Sequence, residues 1–248
     1  MHHFFISSDS KIGNQIYIKG SDVNHIRNVL RMKAGEELLI SDGQGNDYLC
    51  RLTGFTDTEV ISEILDEEYA GTELDAKLYL FQALPKNDKM EMIIQKAVEL
   101  GVYAVVPVKT SRCVVKLDDK KAASKIKRWT GISESAAKQS RRSIIPKVEN
   151  PLTFKEAIEM VKDFDMKIIP YENFKDMEET VRVLNDVEKK EKIAIFIGPE
   201  GGFAPEEIEM AMQNGIQPIS LGKRILRTET AGMAILSVLM FRLENRKA

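Results

Sequence analysis

The pattern of hydrophobic and polar residues changes about seventy residues into the chain. In the first part, short runs rich in β-branched and aromatic residues alternate with polar positions, which predicts half-buried strands. These predicted strands are Gln15–Lys19, Glu37–Ser41, Asp47–Leu52 and Glu59–Leu65. A helical period interrupts them near Ser21, with apolar residues at Val23, Ile26 and Val29. The pattern predicts a small β-barrel over residues 1–70.

After a predicted linker at residues 71–76, strands alternate with helices. The predicted strands are short apolar runs. Among the predicted helices, Asp88–Leu100 carries its apolar residues on one face, and the last helix is apolar nearly all round. The strands are predicted at Leu78–Ala83, Ala104–Val108, Met166–Pro170, Ile193–Ile197 and Pro218–Leu221. The helices are predicted at Asp88–Leu100, Lys120–Ser140, Phe154–Phe164, Phe174–Val187, from Pro205 onward, and at Thr228–Asn245. This alternation predicts an α/β domain over residues 77–248, with a parallel sheet flanked by helices.

Two of the predicted strands end in loops that contain glycine. Ile193–Ile197 is followed by the loop Gly198–Gly202, and Pro218–Leu221 is followed by the loop Gly222–Arg227. Thr228 is predicted as the N-cap of the last helix. Because the carboxyl ends of parallel strands lie at one edge of a sheet, the two loops are expected to form one ligand-binding crevice.

The loop sequences exclude two common kinds of nucleotide site. No Gly-Lys-Ser/Thr follows Gly198–Gly202, so the loop is not a P-loop, and its glycines lack the spacing of a dinucleotide site. Glu200 would also repel a phosphate group. Backbone groups and a carboxylate fit a ligand with uncharged edges or a positive charge, such as an adenosine that carries a sulfonium. An ordinary strand–helix connection is the alternative.

Composition narrows the class of protein. The chain has 248 residues, of which 43% are hydrophobic and 30% are charged, as is typical of soluble globular proteins. The sequence has no secretory signal pattern, and its longest apolar stretch, Ala231–Phe241, is too short to span a bilayer. Cys50 and Cys113 do not make a disulfide framework, and the three histidines lack metal-ligand spacing. We therefore expect a cytoplasmic protein with neither a membrane segment nor a metal site.

The net charge of −2 conceals a basic segment. Between Lys109 and Lys147 there are twelve basic residues and only three acidic ones. A local excess of this kind attracts phosphate groups even when the whole chain is slightly acidic. The segment is therefore a candidate nucleic-acid surface. A solvated helix face is the other interpretation that the charges allow.

The two loop sequences, IGPEGGF from Ile197 and LGKRILRTETA from Leu221, closely resemble the RsmE family of SPOUT-class methyltransferases. Three further stretches match that family in the same order: HIRNVLRMKAG from His25, PKNDKMEMIIQKAVELGVYAVVP from Pro85, and RWTGISESAAKQSRRSIIP from Arg128. The resemblance implies methylation of N3 of a specific uridine in 16S ribosomal RNA, free or in the 30S subunit, with S-adenosylmethionine as the methyl donor. It also implies a PUA-like RNA-binding barrel, a trefoil-knot domain, and a homodimer formed through helix 228–245.

By this resemblance, the methyl donor lies among three strand-end loops. The implied cofactor-binding residues are Ile169, Pro170, Tyr171, Gly198, Pro199, Glu200, Gly201, Gly202, Leu221, Gly222, Ile225, Leu226, Arg227, Thr228 and Thr230. Backbone groups of these loops would hold the adenine and the ribose.

Three residues are candidates for catalysis. Uridine N3 is a weak acid, so a neighbouring cation would stabilise its anion, and Arg227 is the first candidate, with Arg224 second. Arg227 could instead lock the loop by pairing with Glu229 or Glu200. Glu200 could oppose the sulfonium or fix the loop, and capping of the next helix is its alternative role.

RNA contacts are expected at positions that match the family outside the two loops. These residues are Arg27, Arg31, Lys86, Gln139, Arg141 and Arg142. The chain departs from the family at His2 and His3, where arginine is common, and at Cys113, where serine is common. A histidine at that place could still contact a phosphate when protonated.

Two rival functions stay open at this point. One is another RNA methylation of the SPOUT class, on a ribose 2′-hydroxyl, which needs no anionic base. The other is a non-catalytic module that binds ribosomal RNA or assists ribosome assembly. Binding of the methyl donor would distinguish the second rival from both methyltransferases.

Overall fold

The computed structural model describes residues 1–67, 69, 71–115, 117 and 119–244, without the side chains of Ser8 and Asp119. Three residues named in the predicted basic segment and the predicted last helix, Lys116, Asp118 and Asn245, lie outside the described residues.

Two compact units divide the chain. The first comprises Met1–Glu73 and Ala137–Ile145, and the second comprises Leu74–Ala136 and the chain from Pro146 onward. The predicted division, with a linker at residues 71–76, assigned Ala137–Ile145 to the second domain. The structure differs, because this stretch packs with the first unit.

The first unit is built on one mixed sheet. Its strands are β1 (His2–Phe5), β2 (Lys11–Ile12), β3 (Gln15–Lys19), β4 (Glu37–Ser41), β5 (Asp47–Phe55) and β6 (Glu59–Asp66). They lie in the order β1–β4–β5–β6–β3–β2, in which β1 and β4 are parallel and the other neighbours are antiparallel. All four predicted strands are present, and the short strands β1 and β2 were not predicted. In β3, the buried residues Ile16 and Ile18 alternate with more exposed neighbours, as a half-buried strand requires.

The predicted helix of the first unit is irregular. It begins as α1 (Ser21–Asn24) and continues as a π-helical turn over His25–Val29. A π-helical turn is wider than an α-helical turn, so residues three apart no longer share a face. Ile26 is therefore buried while Val29 is 61% exposed, and the prediction that Val29 lies on the buried face was wrong.

Buried polar contacts hold residues 137–145 in the first unit. The Glu73 carboxylate accepts hydrogen bonds from the Arg142 guanidinium and from the Ser143 backbone N–H at 2.9 Å. The Ser143 hydroxyl donates to the carboxylate of Asp47, which is 4% exposed. A buried carboxylate such as that of Asp47 needs such a donor, and the partly buried Glu73 adds an ion pair, so these contacts explain why the stretch leaves the unit in which its helix begins.

The second unit contains the parallel sheet that the sequence predicts. Its strands are β7 (Lys77–Ala83), β8 (Val102–Lys109), β9 (Lys147–Val148), β10 (Leu152–Thr153), β11 (Met166–Pro170), β12 (Lys192–Ile197) and β13 (Gln217–Ile219). The order is β10–β8–β7–β12–β11–β13, with β9 also paired to β8, and every pairing is parallel. The central strand β12 is apolar and buried from Ile193 to Ile197 because both faces of the sheet are covered.

Six α-helices accompany this sheet within the part of the chain that the structure describes. They are α2 (Lys89–Glu99), α3 (Asp119–Ser140), α4 (Phe154–Met160), α5 (Met177–Asn185), α6 (Pro205–Gln213) and α7 (Thr228–Glu244). The predicted start of α5 was three residues too early, because the Asp176 side chain caps the helix by accepting from the Glu179 N–H at 2.8 Å. Within the described residues, every helix is too short or too polar to cross a membrane.

Aromatic side chains on one side of the sheet connect the core to the glycine loop. Phe81 of β7 and Phe196 of β12 stack with their ring centroids 4.6 Å apart. Phe154 of α4 packs against Phe196 and against Phe203, whose ring centroid lies 5.4 Å away. Phe203 ends the sequence IGPEGGF and is 4% exposed, so the loop before it is anchored in the core.

Candidate active site

Three loops at the carboxyl edge of the parallel sheet enclose a cavity of about 490 Å³. The loops follow β11, β12 and β13, and β11 pairs with β12 on one side and with β13 on the other. Parallel pairing places the three strand ends at the same edge, as the sequence predicted. The cavity is lined by residues 170–172, 197–203, 220–222 and 224–228, together with Lys89 and Ala231.

Most of the predicted cofactor-binding residues line this cavity. They are Pro170, Tyr171, Gly198, Pro199, Glu200, Gly201, Gly202, Leu221, Gly222, Ile225, Leu226, Arg227 and Thr228. Two do not line it. Ile169 is fully buried in the core of the sheet, and Thr230 is exposed on the first turn of α7. Two charged lining residues, Lys89 and Glu172, were missed, although each lies within three residues of a position that the family motifs had marked.

The glycine loop is held against the core. A Cβ built on Gly198 would lie 3.1 Å from the ring of Phe203, so only glycine fits there without a shift of that ring. The Gly202 N–H donates to the Pro199 carbonyl at 2.9 Å and closes the turn. Arg112 donates from its guanidinium to the Gly201 carbonyl at 2.8 Å, which ties the segment after β8 to the same loop.

Thr228 connects this loop to the last helix. Its hydroxyl donates to the Gly198 carbonyl at 2.6 Å and accepts from the Gln82 side-chain amide at 2.9 Å. The prediction that Thr228 is the N-cap was wrong, because α7 begins with Thr228 itself and the hydroxyl is used for the loop contact. Gln82 is fully buried, so this connection between β7, the glycine loop and α7 is shielded from water.

Lys89, the first residue of α2, forms ion pairs with two of these elements, the glycine loop and α7. Its ammonium lies 3.2 Å from a carboxylate oxygen of Glu200 and 3.2 Å from one of Glu229. Glu200 belongs to the glycine loop, and Glu229, whose side chain is 10% exposed, belongs to the first turn of α7. The pKa of Lys89 is raised, chiefly by its hydrogen bond to Glu200, so Lys89 is a fixed cation at neutral pH.

Glu200 fixes the loop. Burial alone would raise the pKa of Glu200, but hydrogen bonds from its own N–H and from the Lys86 N–H, together with Lys89, outweigh burial and lower this pKa. The Lys86 N–H donates to Glu200 Oε1 at 3.1 Å. Helix capping was the wrong alternative, because Glu207 caps α6 by accepting from the Ala204 N–H at 2.9 Å.

Arg224 and Arg227 reach the cavity from the loop after β13. Both side chains line the cavity, and both are exposed. Neither has an ion pair or a side-chain hydrogen bond within the part of the chain that the structure describes. The suggested pairing of Arg227 with Glu229 or Glu200 is not found, because Lys89 pairs with both carboxylates.

The candidate RNA-contact residues fall into three groups. Arg31, Lys86, Gln139 and Arg141 are exposed. Arg27 is half-buried; its guanidinium donates to the Thr56 carbonyl and lies 5.1 Å from the centroid of the Phe55 ring. Arg142 is 3% exposed and bound to Glu73, so the expectation that it contacts RNA was wrong.

The histidine at position 3 also fails as a phosphate contact. His3 is 8% exposed, and its Nε2 lies 2.7 Å from the Ser41 hydroxyl. Burial lowers the pKa of His3, so the imidazole stays neutral where a phosphate contact would require a cation. Cys50 is likewise inert, because burial raises the pKa of its thiol to about 12.

The basic segment is less positive than its formal charge. Five of its cations are paired with acidic residues that lie outside the segment in sequence: Lys125 with Asp88, Arg128 with Glu91, Lys138 with Asp22, Arg142 with Glu73 and Lys147 with Glu149. The segment's tryptophan, Trp129, is 3% exposed and serves as a core anchor. The excess seen in the sequence therefore overstates the attraction of this surface for phosphate.

Family models and known structures agree on the class of protein. Residues 72–240 match the RNA methyltransferase domain, and residues 18–65 match the RNA methyltransferase PUA domain. The ribosomal RNA small subunit methyltransferase E of Bacillus subtilis (strain 168) is 36% identical over 92% of this chain and 90% of that protein. These matches define a two-part RNA methyltransferase, with the second match covering most of the first sheet.

Among the solved structures that resemble the whole chain, two contain the methyl donor. One is a ribosomal RNA small subunit methyltransferase E from Neisseria gonorrhoeae bound to S-adenosyl methionine, with a TM-score of 0.85, 32% identity and 98% of each chain covered. The other is a putative methyltransferase from Legionella pneumophila in complex with the cofactor SAM, with a TM-score of 0.82, 31% identity and 97% of each chain covered. The chain belongs to the ribosomal RNA small subunit methyltransferase E family.

Substitution of Lys89 by methionine tests the ion pairs at the cavity. Folding lowers the pKa of Glu200 from its ordinary value of 4.5, so the ionised carboxylate stabilises the fold at pH values above 4.5. This stabilisation is lost as the pH falls through the folded-state pKa. Folding raises the pKa of Lys89 from its ordinary value of 10.5, so the ammonium stabilises the fold at pH values below 10.5. This stabilisation is lost as the pH rises through the folded-state pKa. The loss of unfolding free energy in Lys89→Met is therefore expected to be largest between about pH 5 and pH 10, measured by urea denaturation.

Lys162→Met is the matched control, because the pair of Lys162 with Glu159 is largely exposed. Its effect is expected to be small at every pH. A loss in Lys89→Met that does not vary with pH would mean that Lys89 acts only through the packing of its apolar stem.

Proposed function

We propose that the protein uses S-adenosylmethionine to methylate N3 of a uridine in 16S ribosomal RNA, in the cytoplasm. The observation that carries this proposal is the cavity itself. The two sequence motifs that resemble the family, Ile197–Phe203 and Leu221–Ala231, supply two of its three walls. The shared family and the S-adenosylmethionine-bound structures of two relatives support the same donor.

The cavity suits a molecule of the donor's size and character. Its volume lies within the range of small-molecule sites. Gly222 has a φ of +101°, and a Cβ built on it would meet no atom within 4 Å, so its backbone is open to a ligand. Ile225 lines the cavity and is 90% exposed, which leaves an apolar side chain for an adenine or a methionine chain to cover.

The donor supplies a methyl group on positively charged sulfur, and the protein must supply the nucleophilic form of the base. Uridine N3 attacks best after losing its proton, so a fixed cation that stabilises the anion accelerates the reaction. Arg227 and Arg224 are suited to this role, since both residues line the cavity and neither has a carboxylate partner in the described chain. Lys89 is not, because two carboxylates already surround its ammonium.

Product analysis with Arg227 variants tests the reaction. With donor labelled in its methyl group and 16S RNA or 30S subunits, nucleoside mass spectrometry is expected to find 3-methyluridine. Arg227→Ala is expected to lower kcat about a hundredfold and to move the rising limb of the pH–rate profile to higher pH, because the anion loses its cation. Arg227→Lys keeps the charge and is the control; it is expected to retain the pH profile.

Each rival function gives a different result in that experiment. Label recovered as 2′-O-methyluridine would establish the ribose methylation instead. No methylation of either substrate, with RNA still bound, would support a non-catalytic ribosome-assembly module.

Arg31 and Arg141 are the strongest candidates for RNA contacts. With Asn87 they are the three non-glycine residues of positive φ in the described chain, and arginine rarely adopts that conformation. Arg141 follows the last residue of α3, and the Arg142 N–H donates to the Ala137 carbonyl at 3.0 Å. This is the helix end at which glycine is preferred. Exposed arginines kept in unfavourable backbone positions support a role outside folding, which we propose is phosphate binding.

Arg141→Gly distinguishes a role in folding from a role in RNA binding, because only the RNA-binding role predicts that the substitution weakens RNA binding without lowering stability. The substitution is expected to leave stability unchanged or to raise it by about 0.5–1 kcal/mol, because glycine tolerates this backbone conformation. It is expected to weaken RNA binding several-fold and to reduce the slope of log affinity against log salt by about one. Arg51→Ala is the control for binding, because it removes a positive charge from an exposed position of β5. Alanine is used there because glycine would destabilise a strand. Unchanged RNA affinity in Arg141→Gly would reject the contact.

We also propose that the enzyme is a homodimer formed through α7. This helix is apolar nearly all round, and Ile235, Leu236 and Leu239 are fully buried. On another side, Val238 is 43% exposed and Phe241 is 69% exposed, and both line a second, open cavity. An exposed apolar strip on a helix that also packs in the core is typical of a surface that a second chain covers.

Sedimentation equilibrium of Phe241→Glu tests the dimer. The wild-type protein is expected to sediment as a dimer and Phe241→Glu as a monomer, because a carboxylate would be buried in the interface. Met212→Glu adds the same charge at an exposed methionine of α6 and is expected to remain a dimer. A wild-type protein that stays monomeric at all concentrations would refute the proposal.

A further inference from the structure

A tight turn after β11 places a glutamate at the wall of the cavity. The Tyr171 N–H donates to the Ile219 carbonyl at 3.0 Å, and the Phe174 N–H donates to the Tyr171 carbonyl at 3.0 Å. The Asn173 side-chain amide donates to the Tyr171 hydroxyl at 2.8 Å. These contacts fix the turn, and Glu172 at its tip lines the cavity.

The Glu172 carboxylate faces the glycine loop. Its Oε1 lies 3.1 Å, and its Oε2 3.2 Å, from the position that a Cβ on Gly202 would occupy. Gly202 has no side chain to cover the carboxylate. The carboxylate therefore lies beside the backbone of the loop whose family motif marks the cofactor site.

Glu172 and Glu200 are the two acidic residues that line the cavity, and their surroundings differ. Glu200 accepts from the Lys86 N–H and pairs with Lys89. The Glu172 side chain is exposed, and its carboxylate has no hydrogen bond or ion pair among the residues that the structure describes. Glu200 thus already has an ion pair and a backbone hydrogen bond within the protein, with Lys89 shared between Glu200 and Glu229, whereas the carboxylate of Glu172 is available to a ligand.

The rest of the cavity needs such a charge. S-adenosylmethionine carries positive charge on its sulfonium and on its amino group. Arg224 and Arg227, which line the cavity from the loop after β13, suit the donor's carboxylate but would repel its two positive groups, and Lys89 is itself a cation. A carboxylate without a protein partner is the group that favours a cationic ligand in this setting.

We propose that Glu172, rather than Glu200, is the carboxylate that binds the positively charged part of the methyl donor. This inference rests on the proposed function, since it names a residue that would hold the proposed cofactor. Glu200 keeps the role of fixing the loop through Lys86 and Lys89.

Calorimetric titration of Glu172→Gln with three ligands tests the assignment. S-adenosylmethionine has both positive groups, S-adenosylhomocysteine has only the amino group, and 5′-methylthioadenosine has neither. The variant keeps the shape of the side chain and removes its charge, and is expected to bind S-adenosylmethionine about tenfold to a hundredfold more weakly than the wild type. Its affinity for 5′-methylthioadenosine is expected to stay unchanged.

S-adenosylhomocysteine then identifies the group. If its affinity is unchanged, Glu172 binds the sulfonium, and if its affinity falls with that of S-adenosylmethionine, Glu172 binds the amino group. Equal loss for all three ligands, or no loss for any, would overturn the inference. Because the Glu172 side chain is exposed, the midpoint of thermal unfolding is expected to stay the same.

Two further variants complete the design. Glu178→Gln makes the same charge change at an exposed position of α5 outside the cavity, and is expected to bind all three ligands as the wild type does. Glu200→Gln is expected to weaken all three about equally, because it loosens the loop without removing an available charge. A wild-type protein that binds none of the ligands would refute the proposed function itself, an outcome distinct from normal binding by Glu172→Gln.

Discussion

The parallel pairing of β11 with β12 and β13 is the constraint on which the candidate site depends. Parallel strands end at the same edge, so three loops that are far apart in sequence lie side by side without long-range loop contacts to bring them there. The apolar strands fix the positions of their ends through the core, and Phe203 extends that core into the glycine loop. The sheet is therefore the rigid part of the site, and the positions of its strand ends determine where the loops lie.

Two interactions convert adjacent loops into one wall. Thr228 connects α7 to the glycine loop through neutral, buried hydrogen bonds, and Lys89 connects the same elements through charges. The two are complementary, since hydrogen bonds set the distance between backbones while the ammonium prevents Glu200 and Glu229 from repelling each other. Because of this arrangement, the carboxylate of Glu200 is paired within the protein, whereas that of Glu172 is available to a ligand.

The sequence predicted the regular parts well, for physical reasons. Strands such as Met166–Pro170 and the start of α6 at Pro205 follow from local apolar runs and a proline, and they need no knowledge of distant residues. Contacts between residues that are far apart in sequence were harder to predict. Arg142 looked like one more exposed cation, and only the fold brings Glu73 beside it. Val29 matched an α-helical period, but the chain forms a wider turn there.

The candidate site likewise contains residues that the sequence motifs predicted and residues that only the fold brings together. Family motifs marked the glycine loop and the loop after β13, because those residues are contiguous in sequence. Lys89 belongs to a different motif, and nothing in the spacing of residues connects it to Glu200 and Glu229. Glu172 was missed for a related reason. Its importance comes from the pairing of Glu200 with Lys89 and Lys86, which depends on contacts between separate elements. The trefoil knot stays a prediction from the family resemblance.

Residues 137–145 give the chain an unusual modular structure. The chain enters the first unit a second time at Ala137 and leaves it again at Ile145. No single cleavage point can therefore release the first unit intact. A fragment ending at Glu73 would keep the acidic halves of two buried contacts, Glu73 and Asp47, and lose their donors Arg142 and Ser143. In genetic terms, the first unit of this protein is not an N-terminal module that could be transferred alone, because two separated segments of the gene encode it.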